Sequence, residues 1–202
     1  EDGRPAPPLR QLSELAGKRI AIGGQGSGSS VLAATLLKAN GVEPGGKTEL
    51  LNIGGDEAAQ ALTSGKIDAA FLMGDSVSVA TMGKLLRAPG IRLLDFSQAD
   101  AYVRRFRYLN TLKMPMGVFD LAHNLPARDT QLIAPTAELV AREDLHPALS
   151  DLLIAAAREV HGKANVMQKA GEFPAPVKLS KRVTAWRAED VRAWMNVGAR
   201  QQ

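Results

Sequence analysis

The chain has no cysteine and only three histidines among its 202 residues. Without cysteine there can be no disulfide, no thiolate zinc site and no cysteine nucleophile; the compartment is left open on that count. The histidines, His123, His146 and His161, are scattered, and none has a partner at a metal-ligand spacing such as H-x3-H. No metal and no other cofactor is expected. No apolar run approaches the roughly 18 residues of a membrane span. A G-x-S-x-G nucleophile elbow is missing, and although Ser27 lies between Gly26 and Gly28, no base can be named for it. Paired carboxylates occur at Asp56-Glu57 and Glu143-Asp144, but both pairs stand at expected helix starts, where they complement the helix dipole. These absences favour a binding protein over an enzyme.

Hydrophobic residues make up 45% of the chain and charged ones 23%, the balance of an ordinary globular protein with one sizeable core or two small lobes. The net charge of +4 is not spread evenly. Residues 177–202 hold six basic side chains (Lys178, Lys181, Arg182, Arg187, Arg192, Arg200) against Glu189 and Asp190, while the rest of the chain is neutral. Both tryptophans, Trp186 and Trp194, fall in the same stretch. A break this sharp predicts a seam near residues 171–176. Three segments follow: a linker over 1–8, with Pro5, Pro7 and Pro8; a main domain over 9–176; and a basic tail over 177–202. The chain opens at Glu1 rather than Met, which reads as a mature form or a fragment.

The most informative stretch is Lys18 to Gly41. Arg19–Ile22 predicts a short buried strand, Gly23–Ser30 a sharp turn, and the run ending at Gly41 a helix capped by Ser29 or Ser30. Unpaired N–H groups at such a helix start seat an anion. The turn nearly matches the phosphate loop G-x-x-x-x-G-K-[ST], but Ser29 stands where the lysine belongs, so a triphosphate lacks its main cationic partner. It also fails the dinucleotide fingerprint, because Ser29 occupies the place of the third glycine. A carboxylate or another small oxyanion fits better, held by hydroxyls and backbone N–H groups.

Further strands are expected at Glu49–Ile53, Ile67–Met73 and Ile91–Phe96. Helices are expected from Asp56 to Ser64 with Asp56 as N-cap, from about Val77 to Leu86, and from a Ser97 cap to about Phe106. This alternation predicts parallel βαβ units, with ligand bound beyond the carboxyl ends of the strands, at Gly23–Ser30 and Gly74–Ser76. Asp120–Arg128 predicts a loop or short helix, and Thr130–Val140 a strand interrupted at Pro135. Asp144–His161 predicts an amphipathic helix with Leu149, Leu152, Leu153, Ala156 and Val160 on its apolar face. Arg104, Arg105 and Arg107 form a basic cluster that suits a solvated helix face.

Several runs resemble solute receptors of tripartite ATP-independent periplasmic (TRAP) transporters, of the TAXI type. They are Leu15–Gly23 with Gly26–Ser30, Leu62–Phe71, Asp95–Phe106, Ile133–Val140 and Arg142–Leu149. The resemblance implies an α/β, type II periplasmic-binding-protein-like fold: one complete parallel or mixed-sheet lobe plus part of a second lobe. It implies a small carboxylate solute, an amino acid or dicarboxylate, delivered in the periplasm to TRAP-type membrane permease subunits. The implied ligand residues are Gln25, Gly26, Ser27, Gly28, Ser29 and Ser30 in the first loop and Asp75 and Ser76 in the next. The tail from Phe173 to Trp194 resembles the end of AlpA-like winged-helix prophage regulators. There a hairpin, Val177–Leu179 and Val183–Trp186, precedes a helix over Ala188–Asn196. That likeness implies contact with nucleic acid through residues 177–202, by basic side chains on phosphates.

Overall fold

A computed structural model describes residues 9–73, 78–135, 141–142, 144–161, 177–178 and 184–185. The chain divides into two units, residues 1–136 and residues 137–202.

The first unit is built on β1 (Arg19–Ala21), which pairs in parallel with β2 (Glu49–Leu51) on one side and β3 (Ala69–Ala70) on the other. Ile20 stands opposite both Leu50 and Ala69. Helix α1 (Gly28–Ala39) connects β1 to β2, and α2 (Gly55–Thr63) connects β2 to β3. Side chains alternate across a strand, so β1 feeds two cores at once. Ile20 and Ile22 pack with Ala33, Leu36 and Leu37 of α1. Ala21 points the other way, into a smaller cluster with Ala58 of α2 and Ile67. A sheet covered on both faces needs apolar residues at consecutive positions, which is why Ile20-Ala21-Ile22 does not alternate with polar ones. The fold is mixed α/β, with a parallel three-stranded sheet and flanking helices, as a periplasmic-binding-protein-like lobe requires.

The amino-terminal edge of the sheet is tied by Arg19. Its guanidinium meets Asp68 at 2.9 and 3.1 Å and donates to the Gly65 carbonyl, while its backbone N–H also reaches the Asp68 carboxylate at 2.8 Å. These bonds, the guanidinium contact first among them, hold the Asp68 carboxyl below the usual aspartate range.

Both α1 and α2 end where a glycine follows. Asn40 and Ser64 are the C-caps, and Gly41 and Gly65 come next with φ of +72° and +71°, a conformation that costs other residues a Cβ clash. Helix α3 (Val79–Arg87) starts from an Ser78 cap; residues 74–77, where the sequence places the helix start, lie outside the described residues. Helix α4 (Ala99–Arg105) is anchored by Tyr102, whose hydroxyl donates to Asn40 at the end of α1 and whose ring meets Phe96 edge-on. Arg104, Arg105 and Arg107 are exposed.

Strands β4 (Leu109–Met114) and β5 (Thr130–Pro135) form a separate antiparallel pair. The turn between them, 115–129, contains no helix and holds a cis Leu125–Pro126 bond. Asp120 closes it by accepting from Arg87 of α3 and pairing with His123.

Several expectations are corrected. The fourth parallel strand is absent: residues 91–96 are irregular, and Phe96 N–H and the Asp95 carboxylate attach them to Gln131 of β5. A side chain takes one of the ladder partners, so no regular strand propagates. The third strand shortens from 67–73 to Ala69–Ala70. The N-cap of α1 is Ser27, not Ser29 or Ser30; that of α2 is Gly54, not Asp56; that of α4 is Gln98, not Ser97. In each helix the expected cap falls inside the first turn or beside it, because polar residues crowd these starts and backbone geometry selects among them.

In the second unit, α5 (Pro147–His161) has proline at its first position, as predicted. The imidazole of His146 accepts from Ala148 N–H ahead of it. The burial of α5 departs from the expected stripe: Leu149, Leu152 and Leu153 are exposed, Ile154 is buried among the described side chains, and Val160 lies outside them. Val177–Lys178 and Thr184–Ala185 pair antiparallel as β6 and β7, matching the predicted hairpin. The predicted helix over 188–196 lies outside the described residues.

Candidate functional site

The three parallel strands all run toward the same edge, and their carboxyl ends open into one pocket of about 310 Å³. Gly23, Gly24, Ser27 and Ser29 line it from the loop after β1, Gly54 and Gly55 from the loop after β2, and Phe71 from the end of β3. This is the crevice position at which open α/β sheets bind ligands.

The two glycine loops are held against each other. Gly23 N–H donates to the Ile53 carbonyl at 2.9 Å, and Ile22 N–H to Leu51 at 3.0 Å, so the ladder continues past both strands. A Cβ on Gly54 would lie 3.1 Å from Gly23 Cα, and one on Gly23 would lie 2.7 Å from the Ser29 Cβ. Gly23 also has φ of +99°. Both positions therefore need glycine for the loops to approach.

Ser27 organises the first loop. Its N–H closes a turn onto the Gly24 carbonyl, its Oγ accepts from Ser30 N–H at 3.1 Å, and its carbonyl receives the Ser30 hydroxyl at 2.9 Å. The first helical bond runs from Val31 N–H to Ser27 O. The N–H groups of Gly28 and Ser29 precede that bond and have no helical carbonyl to donate to.

The electrostatics of the two helix starts differ. No acidic residue lies in the first turn of α1, so its positive end is uncompensated. The first turn of α2 carries Asp56 and Glu57, which oppose its dipole, and Asp56 is engaged by the Thr81 hydroxyl at 2.8 Å. An anion is therefore favoured at α1 rather than at α2.

Of the residues expected to bind, Ser27 and Ser29 face the pocket. Gln25 and Gly26 are exposed on the loop and Gly28 is exposed as the first residue of α1; none of the three lines the pocket. Ser30 is buried, with its hydroxyl turned to the Ser27 carbonyl. Asp75 and Ser76 lie outside the described residues. Gly23 and Gly24 fall within the loop Gly23–Ser30 expected from the sequence to hold the ligand, whereas Gly54, Gly55 and Phe71 were not among the expected site residues. The Gly54-Gly55 pair directly after a predicted strand was the available signal. Phe71 gave none, since an apolar residue in an apolar strand looks like core.

Among the described residues no group of histidine and carboxylate side chains is placed to hold a metal, and no helix is long and apolar enough to cross a membrane.

Comparison with known proteins gives two matches. A family model described as the NMT1-like family covers residues 6–174. A second, described as the prophage CP4-57 regulatory protein (AlpA), covers residues 164–199 and overlaps the first over 164–174. No curated protein matches the chain. The NMT1-like family is periplasmic-binding-protein-like, which points to a solute-binding role, and proteins of this kind typically act outside the cytoplasm. A parallel sheet whose strand ends open into a glycine-serine pocket suits that role, and with residues 6–174 matched the chain belongs to the NMT1-like family.

Proposed function

We propose that the chain is a non-enzymatic, TAXI-type receptor that binds a small carboxylate solute in the periplasm and delivers it to a TRAP-type membrane permease. The carrying observation is the open start of α1 at the pocket, with two N–H groups before the first helical bond and the hydroxyls of Ser27 and Ser29 beside them. The Ser29 hydroxyl and N–H take the carboxylate, the Gly28 N–H stands next to them at the start of α1, and Ser27 holds the turn in place. Gln25 and Gly26 lie on the exposed part of the same loop, and Asp75 and Ser76, outside the described residues, complete the proposed ligand set. A carboxylate suits this seat because it accepts several N–H and O–H bonds at once and is favoured by the helix dipole.

The test is thermal unfolding against a panel of carboxylates and amino acids. A ligand at 100 times its dissociation constant stabilises the folded state by about 2.7 kcal/mol. A rise in Tm with carboxylates, and none with matched amides, is expected. A flat response across the panel removes the reading.

A second reading rests on the AlpA-like match over 164–199 and the six basic residues of 177–202: the tail contacts nucleic acid phosphates. Deleting residues 177–202 and measuring DNA retention at two salt concentrations decides it. Loss of salt-sensitive retention supports the reading, and unchanged retention ends it.

A further inference from the structure

The pocket lining is chemically lopsided. Four of its residues are glycines, which present only main chain, and two are serines. Phe71 is the one large side chain among the described lining residues. Its N–H donates to the Ala21 carbonyl at 2.8 Å, which continues the β3 ladder and fixes where the side chain leaves the sheet. The ring packs partly on the main core and stays half-buried, so part of it remains at the pocket wall.

We propose that Phe71 is a specificity-determining residue that selects carboxylates carrying an apolar, planar body next to the acid group. This rests on the carboxylate reading above and narrows it. A solute seated by its carboxylate at α1 has its remaining atoms beside Phe71, where an apolar face displaces water from the ring and a second charge meets hydrocarbon. Aromatic or conjugated monocarboxylates therefore bind in preference to short aliphatic acids and to dicarboxylates.

The experiment compares phenylacetate, acetate and succinate by thermal shift and titration calorimetry, with the full chain, in the wild type and in Phe71→Ala and Phe71→Leu. Phenylacetate is expected to bind the wild type about tenfold more tightly than acetate or succinate, the size of one good aromatic contact. Phe71→Ala should erase that preference by bringing phenylacetate affinity down to that of acetate, and Phe71→Leu should keep part of it. Because the preference is first read on the wild type, poor folding of a variant does not decide the matter. Equal affinity for all three acids in the wild type overturns the inference alone, as does a preference that survives Phe71→Ala. Binding of none of the three overturns the carboxylate reading and the inference with it.

Discussion

Three glycines in the loops around the pocket differ in what confines them, and alanine substitution separates the causes. Gly26 has φ of +74° and open space where its Cβ would go, so Gly26→Ala carries only the left-handed backbone penalty, about 1 kcal/mol. Gly54 has an extended backbone, with φ of −150°, that any residue adopts, but its Cβ would press on Gly23 Cα at 3.1 Å and Gly24 N at 3.4 Å. Both neighbours are main chain and cannot rotate away, so Gly54→Ala costs about 1–3 kcal/mol as an overpacking change. Gly23 combines the two: φ of +99° and a Cβ only 2.7 Å from that of Ser29. Its substitution costs about 2–5 kcal/mol. For a chain of this size each kcal/mol lowers Tm by about 2–4 °C. Far-ultraviolet circular dichroism melts should then show Gly23→Ala falling by about 10 °C and Gly26→Ala by about 3 °C, with Gly54→Ala between. The reasoning fails if Gly23→Ala melts with or above Gly26→Ala, since the loops would then not be packed as described.

Two other perturbations test the loop and the sheet edge. Ser27→Ala removes the cap of α1 and should destabilise by about 1 kcal/mol, with Ser27→Asp restoring most of it because a carboxylate oxygen can accept from Ser30 N–H. A chemical-denaturation midpoint checks the pair. For Asp68 the folded-state carboxyl is held below its usual range by Arg19, so its contribution is present at neutral pH and is lost as pH falls through the folded value. Asp68→Asn should therefore lower Tm at pH 7, and its deficit relative to the wild type should shrink as pH drops below about 4. A deficit that stays constant to pH 2 would show that the carboxylate charge is not what matters.

The β1–α1 segment was legible from sequence because each signal in it is local: an apolar triplet, a glycine-rich turn, hydroxyls at the helix start and glycine at its end. Which hydroxyl caps the helix was not legible. Ser27, Ser29 and Ser30 are equivalent by residue type, and only the turn closed by Ser27 N–H onto Gly24 decides among them. The fourth strand misled for the opposite reason. Residues 91–96 have a strand-like composition, yet Asp95 supplies a side-chain acceptor to Gln131, where a regular ladder would use a carbonyl. The pocket's second wall was signalled only by the Gly54-Gly55 pair after a predicted strand, and its contact with Gly23 was not legible because it joins residues 31 positions apart. The exposed leucines of α5 show that helical periodicity identifies an apolar stripe without saying what covers it.

The hydrogen bond from Gly23 N–H to the Ile53 carbonyl has a consequence for observing the molecule. It is the last rung before the two loops part, so its amide proton exchanges with solvent only when the loops separate. The exchange rate of that one proton measures the opening free energy of the pocket floor. A solute gripping the loops slows that exchange, whereas one lodged elsewhere on the surface leaves it untouched. Gly23 is thus a built-in reporter that locates an unknown ligand without any label being attached.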